Sequence, residues 1–276
     1  MLSHYLKLIT KYGKCLKYGG FMLSKIIKHQ FLFEELVKRD FKKKYKRTVL
    51  GMLWSLIAPL LQLAIMALVF SKFFGRNTDY YIIYLFSGNL LFSYFSDATQ
   101  GGMRSLLQNS GIFSKVDVPK YMFLLSRNIQ ALINFGLSLI IYFIFVVANG
   151  ITLKWSFLLL LFPILCIMVF NIGVGMILSA CYMFFRDIEY LYGVFVMLLN
   201  YLSAIFYTLD AFGETTRRLF YLNPVYTYIT YFRKIVIYNQ IPSLKYHLVC
   251  ALYAAVALGV GAFIYKKYNY KFLYYV

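Results

Sequence analysis

The residues that could do chemistry in this chain offer electrostatics rather than covalent catalysis. Arg39 and Asp40 open a run of bases, Lys42, Lys43, Lys44, Lys46 and Arg47. Such a run attracts phosphate, and its plainest partners are the anionic headgroups of a membrane surface. The acids of the rest of the sequence, among them Asp97, Asp187, Glu189, Asp210 and Glu214, are scattered. His4, His29 and His247 stand alone, so no histidine metal cluster is expected. Cys15, Cys166, Cys181 and Cys250 form no CxxC pair, and three of them sit inside apolar runs, where they read as small buried hydrophobes. The sequence holds no GxxxxGK[ST], GxSxG, HExxH or dinucleotide glycine fingerprint. No catalytic residue, metal ligand or cofactor is therefore assigned to the chain itself.

The elements that must hold these residues are set by lipid. Of 276 residues, 61% are hydrophobic and 14% charged, against roughly 25% charged in an average soluble domain. Six runs without Asp, Glu, Lys or Arg reach or approach spanning length: 49–71, 80–96, 128–153, 155–185, 190–209 and 246–265. A helix needs about 20 residues to cross a core about 30 Å thick. The second run has 17 residues and extends past Asp97. The expected spans are about 49–73, 80–101, 125–149, 155–184, 189–209 and 246–265. The fold class is thus an all-α integral membrane protein with six transmembrane helices.

A seventh run, Leu219–Phe232, has 14 residues and contains Asn223-Pro224. It is too short to span, so a re-entrant or interfacial segment between spans five and six is expected. An ordinary loop with an Asn-Pro turn is the alternative. Residues 1–48 form the expected cytoplasmic amino-terminal region, and residues 49–276 the transmembrane domain. Within the first, Phe33, Val37, Phe41 and Tyr45 recur every four residues, and Glu34/Lys38, Glu35/Arg39 and Asp40/Lys44 pair acid with base at i,i+4. That pattern predicts an amphipathic interface helix with a charged outer face, lying on the inner membrane surface. The first spanning run starts near Val49, too late for a secretory signal, so no cleaved leader is expected.

Charge distribution gives the orientation. The net charge is +19, and thirteen of the 29 Lys and Arg residues precede the first span. With the amino terminus inside, the inner segments carry 21 bases and the outer segments 8. The positive-inside rule then puts both termini in the cytoplasm. Five bases on the last outer segment, Arg217, Arg218, Arg233, Lys234 and Lys245, run against this trend and are candidates to face an anionic ligand or outer-leaflet phosphates. The basic amino-terminal arm reads as a membrane anchor rather than a nucleic-acid site, because a spanning run follows it directly. Uncharged spans argue against an ion-coupled carrier or a charge-lined channel. A membrane-embedded glycosyl- or acyltransferase is the alternative from another class; it would need acidic or His residues near the membrane surface, and the acids present are scattered between the two sides. A structural scaffold needing no ATP is the remaining alternative.

The stretch from Arg39 to Trp54, Arg-Asp-Phe-Lys-Lys-Lys-Tyr-Lys-Arg-Thr-Val-Leu-Gly-Met-Leu-Trp, resembles the entry signature of ABC-2 type permeases for polysaccharide export, and Pro59 follows as in that family. Residues 109–120 resemble the family's first cytoplasmic loop, Phe185-Arg186-Asp187-Ile188 its turn between spans four and five, and Asn223-Pro224 the region of its re-entrant gate helices. The resemblance runs from about residue 30 to the end; residues 1–29 have no counterpart, and the last outer segment is more basic than the pattern. It implies a subunit that pairs with a second copy of itself and with two ATP-binding subunits, which carry ATP and Mg. The implied cargo is a lipid-linked polysaccharide such as an O-antigen, capsule-like glycan or teichoic acid, crossing a bacterial inner membrane.

By the same resemblance Glu35, Arg39, Asp40, Asn109, Ile112, Phe113, Lys115, Pro119, Arg186 and Asp187 would contact the ATPase subunit. Trp54, Tyr201, Phe206, Tyr207, Asn223 and Pro224 would line a channel or gate between spans one and five. Lys42, Lys43, Lys44, Lys46 and Arg47 would attract lipid headgroups. An ABC-2 permease for a drug or another lipid is the nearest alternative. From the residues alone, loop 109–120 also reads as solvated surface, Arg186 as a snorkelling base and Asp187 as a helix cap. No GxxxG occurs to place a helix contact.

Overall fold

The computed structural model describes residues 30–45, 48–74, 80–209 and 212–275. Among them every regular element is a helix. The order is α1 (Gln30–Tyr45), α2 (Trp54–Phe74), α3 (Tyr81–Gln108), the one-turn α4 (Ser110–Phe113), α5 (Tyr121–Ala148), α6 (Leu161–Phe184), α7 (Ile188–Leu202), α8 (Glu214–Phe220), α9 (Pro224–Val236) and α10 (Leu244–Tyr268). A 3-10 segment at Trp155–Leu160 leads into α6. Lys46 and Arg47 lie outside the described residues, as do the side chains of Lys43 and Lys44; Lys42 is exposed.

Among the described residues three helices are long and apolar enough to cross a membrane: Tyr121–Ala148, Trp155–Phe184 and Leu244–Tyr268. Two shorter apolar helices, Trp54–Phe70 and Ile188–Leu202, occupy the first and fifth expected spans. The second expected span is part of α3, whose 28 residues continue past Asp97 to Gln108. Helix α3 is the centre of the bundle. It packs on α5 and α6 over most of its length and also meets α2, α7 and α9. Helix α5 ends where Gly150 takes a positive φ of 81° and the amides of Asn149, Gly150 and Ile151 close on carbonyls of the last turn.

Helices α6 and α10 approach closely through small residues. A methyl group added at Gly173 would overlap the backbone of Ala257 and Leu258, and one added at Gly261 would stand 2.6 Å from the Gly173 carbonyl. Ala257 and Gly261 are four apart on one face of α10, a small-xxx-small contact that a search for GxxxG does not find. Gly102 and Gly175 bring α3 and α6 together in the same manner.

The fifth span departs from its expected length. The uncharged run 190–209 is helical only to Leu202, and Ala204 has a positive φ of 47°. Fifteen helical residues rise about 22 Å, short of a hydrocarbon core about 30 Å thick. The chain continues as a non-helical segment whose carbonyls are bound by side chains. Tyr81 donates to Phe206 O at 2.7 Å, and Tyr84 donates to Ala204 O and Tyr207 O. Open backbone at membrane depth is stable only with such partners.

The run Leu219–Phe232 divides at Asn223. Its side-chain oxygen accepts from Val225 N and Tyr226 N, and Pro224 supplies the first helical residue, so α9 starts there with a full cap. From Val225 to Ile229, and again through Val236, α9 is almost wholly buried among α3, α6 and α10.

Candidate functional site

Helix α1 docks on α5 through Leu36 and Asp40, with Leu32 and Phe33 packing beside them. Asp40 was expected on the charged outer face with Lys44; it lies on the inner face instead, with no exposed surface. A carboxylate removed from water must be paired and hydrogen-bonded, and Asp40 is. Arg39 donates two bonds to its Oδ1 at 3.1 and 2.7 Å; Ser126 Oγ donates to Oδ2 at 3.1 Å; Arg127 Nε stands 3.4 Å from Oδ2. Gln130 Nε2 donates to the Asp40 carbonyl at 3.1 Å. Arg39 Nη2 also donates to Asn109 Oδ1 at 2.7 Å, and Asn109 Nδ2 donates to Ser105 O. Two stretches 70 residues apart in the sequence thus form one junction, which joins α1 to the end of α3 and the start of α5.

The adjoining loop is partly folded inward. Phe113 packs against Phe123, and the Lys120 ammonium lies 5.6 Å from the Phe113 ring centroid and 5.7 Å from that of Phe272. Lys120 donates to the Asn269 carbonyl and side chain, which ties the loop to the carboxyl-terminal segment. Burial lowers the Lys120 pKa, and Asp117 opposes that shift. Among the residues expected to meet an ATPase subunit, Asp40, Asn109 and Phe113 are buried within this chain and present no side chain to a partner. Glu35, Arg39, Lys115, Arg186 and Asp187 are exposed, and Ile112 and Pro119 are half-buried. Glu35 pairs with Lys38 at 3.0 Å and holds the Lys38 pKa above its ordinary value.

Asp187 stands at the amino-terminal cap position of α7 in a helical conformation and forms no side-chain cap bond, so the capping role is not met. The neighbouring acid, Glu189, instead pairs with Arg104 of α3 at 2.6 Å and accepts from the Tyr182 hydroxyl. With Tyr192 donating to Thr99 at 2.6 Å, α7 is fixed to α3 by polar groups in its first two turns.

Of the residues expected at a channel or gate, Tyr201, Phe206 and Tyr207 adjoin one another, with the Tyr201 and Phe206 rings 6.1 Å apart, and Asn223 donates to Leu202 O and Ser203 Oγ beside them. Trp54 borders a groove beside α2, and Tyr201 is exposed on α7. Phe206 is buried and stacks on Phe70 at 4.7 Å. Tyr207 is half-buried, donating to Tyr201 O, and Asn223 and Pro224 form the start of α9.

Arg233, expected among the outward-facing bases, is a second residue that sequence reasoning misplaced. It is buried and stacks 3.4 Å over the Tyr84 ring. Its guanidinium donates to Ser87 Oγ at 3.2 Å, Ala204 O at 2.9 Å, Tyr84 O at 3.0 Å and Ile205 O at 3.2 Å. Gly88 leaves room for it: a methyl there would stand 2.6 Å from Nη2. The signal was present in the spacing, since Tyr226, Ile229, Arg233 and Val236 fall on one helical face of otherwise apolar residues. Lys234 lies 4.1 Å over the Tyr246 ring, while Arg217 and Arg218 are exposed.

Two cavities follow the other side of α3. One, about 550 Å³, lies between α2, α3 and α5; a second, about 370 Å³, extends from it toward Gln108 and Arg127. They share Asp97, Ala131 and Asn134. Among the described residues no group of three or more His, Cys, Asp or Glu side chains could hold a metal ion.

The family model for the ABC-2 type transporter matches residues 32–237. Two proteins of Klebsiella pneumoniae named O-antigen export system permease protein RfbA are each 28% identical to this chain, over 249 and 251 residues. Each alignment covers 88% of this chain and 95% of the relative. The protein of the same name from Myxococcus xanthus is 23% identical over 253 residues, covering 91% and 97%.

Proposed function

This chain belongs to the ABC-2 type transporter family, and from that premise we propose that it is the permease subunit of an ATP-driven exporter for a lipid-linked polysaccharide of the O-antigen kind. The proposed setting is the bacterial inner membrane, with both termini in the cytoplasm. In this reading α2, α3, α5, α6, α7 and α10 are the six spans, and α8 with α9 forms the outer re-entrant segment. Two copies would pair with two ATP-binding subunits, and ATP and Mg would act there. Capsule-like or teichoic acid cargo would present the same chemistry.

The observation that carries this reading is the Asp40 junction. A soluble partner pressing on α1 meets a helix that cannot slide independently of the bundle. Arg39 and Asp40 bind it to Asn109, Ser126 and Arg127. Displacement of α1 is therefore delivered to the inner ends of α3 and α5 together. The exposed Glu35, Lys115, Arg186 and Asp187 are the side chains we assign to the partner's surface, and Lys42 with its basic neighbours to lipid headgroups.

Deletion of the gene tests the proposal. The surface glycan should disappear, its lipid-linked form should accumulate inside the cell, and plasmid-borne wild-type protein should restore export. Normal surface glycan in the deletion strain would refute it.

A further inference from the structure

The loop that carries Lys115 to the surface is joined, at its far end, to the other end of the chain. Lys120 keeps only 8% of its surface exposed. It occupies the amino-terminal cap position of α5, where the helix dipole disfavours a cation. Burial disfavours its charge as well. Among the described residues no carboxylate forms an ion pair with it. An ammonium in such a place needs other partners, and those it has come from outside α5.

Two of them belong to the chain after α10. Asn269 is the carboxyl-terminal cap residue of α10, where helix-end carbonyls attract a cation. Lys120 Nζ donates to the Asn269 backbone oxygen, and to its Oδ1 at 3.3 Å. The Phe272 ring lies 5.7 Å from the ammonium, and the ring of Phe113, from the loop itself, 5.6 Å. Phe272 has no exposed surface; its ring stands 5.6 Å from that of Tyr265 and 6.0 Å from that of Phe184. The short turn Lys271–Leu273 is thus anchored on α6 and α10 and presents a fixed ring to Lys120.

The loop has little else to hold it. Between Ser110 and Pro119 only Phe113 and Val118 are buried. Its own backbone bonds join the amides of Ser114, Lys115 and Val116 to the carbonyls of Ser110 and Ile112, a single turn that is unstable alone. Its shape therefore depends on where Phe113 is kept, and Phe113 is kept by Phe123 and by the Lys120 ammonium.

We propose that Lys120 is a positioning residue, through which the segment from Asn269 to Phe272 fixes the conformation of loop 109–120. The surface formed by Ile112, Lys115 and the exposed Val116 is then set by the last residues of the chain. That this surface serves transport rests on the export reading. The dependence of the loop on the carboxyl-terminal segment does not.

Two variants break the contact from opposite sides. Lys120→Met keeps the length of the side chain without its charge, and a chain ended after Tyr268 removes Asn269 and Phe272. Each is compared with wild type by hydrogen exchange in lipid nanodiscs. The loss of one charge-assisted hydrogen bond corresponds to about tenfold. Exchange at Ser114, Lys115 and Val116 should therefore rise about tenfold or more in each variant, with α5, α6 and α10 unchanged. Combining the two should add little, because both remove the same contact. In cells both variants should reach normal membrane levels and lower surface glycan about threefold or more.

Unchanged exchange at residues 114–116 in either variant, an increase spread equally over α5, α6 and α10, or effects that simply add would each overturn the proposal. Faster loop exchange with full export would overturn the positioning role and leave the export reading intact. Exchange is read on the purified chain and the export reading in the deletion strain, so either idea can fail without the other.

Discussion

Arg233 allows a prediction whose sign separates two physical accounts of a buried cation. If positive charge is what the site requires, Arg233→Lys should be the mild substitution and Arg233→Met the severe one. The geometry argues the reverse. The guanidinium serves four acceptors spread around a planar fork and lies flat on the Tyr84 ring. An ammonium has three donors at a single point and cannot reach the Ser87 hydroxyl and the Ala204, Tyr84 and Ile205 carbonyls together. Lysine would thus leave a buried charge underpaired, at a cost of about 3–5 kcal/mol.

Methionine removes the charge and its desolvation cost as well. Tyr84 O keeps the bond from Ser87 Oγ at 2.8 Å, and Ala204 O keeps the bond from the Tyr84 hydroxyl at 3.2 Å. Ile205 O loses its donor, at about 1–3 kcal/mol for an unsatisfied buried carbonyl. The expected loss for Arg233→Met is therefore about 1–3 kcal/mol, less than for lysine. Thermal unfolding in nanodiscs gives the ranking, and hydrogen exchange at residues 203–207 gives the location. Both variants should lose protection there while α5 and α10 keep theirs. A lysine variant more stable than the methionine variant, or undiminished protection at 203–207, would refute the account of Arg233 as a fork holding open backbone.

The Asp40 junction and the small-residue contact give two further tests. Asp40→Asn keeps the shape but removes the charge that faces Arg39 and Arg127; the protein should still insert, lose about 2 kcal/mol of stability, and show reduced glycan export with unchanged membrane levels. Export equal to wild type would remove the junction from coupling. Gly173→Ala should cost more than the usual 1–3 kcal/mol of an overpacked site, roughly, because the added methyl meets backbone of α10. Gly259→Ala, two residues from Gly261 with nothing within 4 Å, should be neutral or stabilising by about 0.5–1 kcal/mol. Equal melting temperatures for these two variants would contradict the close α6–α10 approach.

What the sequence made legible, and what it hid, follows from the range of the forces involved. Helix class and the three long apolar helices are local properties, visible in runs without charge. The Asn223-Pro224 cap is local too, and the helix begins there. The end of α7 is not local. No Pro lies between Tyr190 and Leu209, the one Gly, Gly193, falls inside the helix rather than at its end, and the helix stops at Leu202 where Tyr81, Tyr84 and Arg233 supply donors from other elements. Asp40 was assigned to the wrong face for the same reason. Its i,i+4 spacing to Lys44 is a solvent pattern, while its partner Arg127 lies on another helix. Gly173 and Ala257 are likewise far apart in sequence, so no single-helix motif announces their contact.

These long-range polar contacts explain why α3 was the least recognisable of the expected spans. It holds the Asn109 junction at one end and the Tyr84 and Ser87 bonds to Arg233 at the other, with the Arg104 pair and the Tyr192 bond between. A helix facing lipid must be apolar along its length, because each unpaired polar group there costs several kcal/mol. A helix enclosed by five others is released from that rule, since its neighbours supply the partners. Its low hydropathy is therefore a consequence of its central position. Asp97 ends its uncharged run at 17 residues, and beyond or within that run Tyr84, Ser87, Thr99, Arg104 and Asn109 hold α9, α7 and α1 around it.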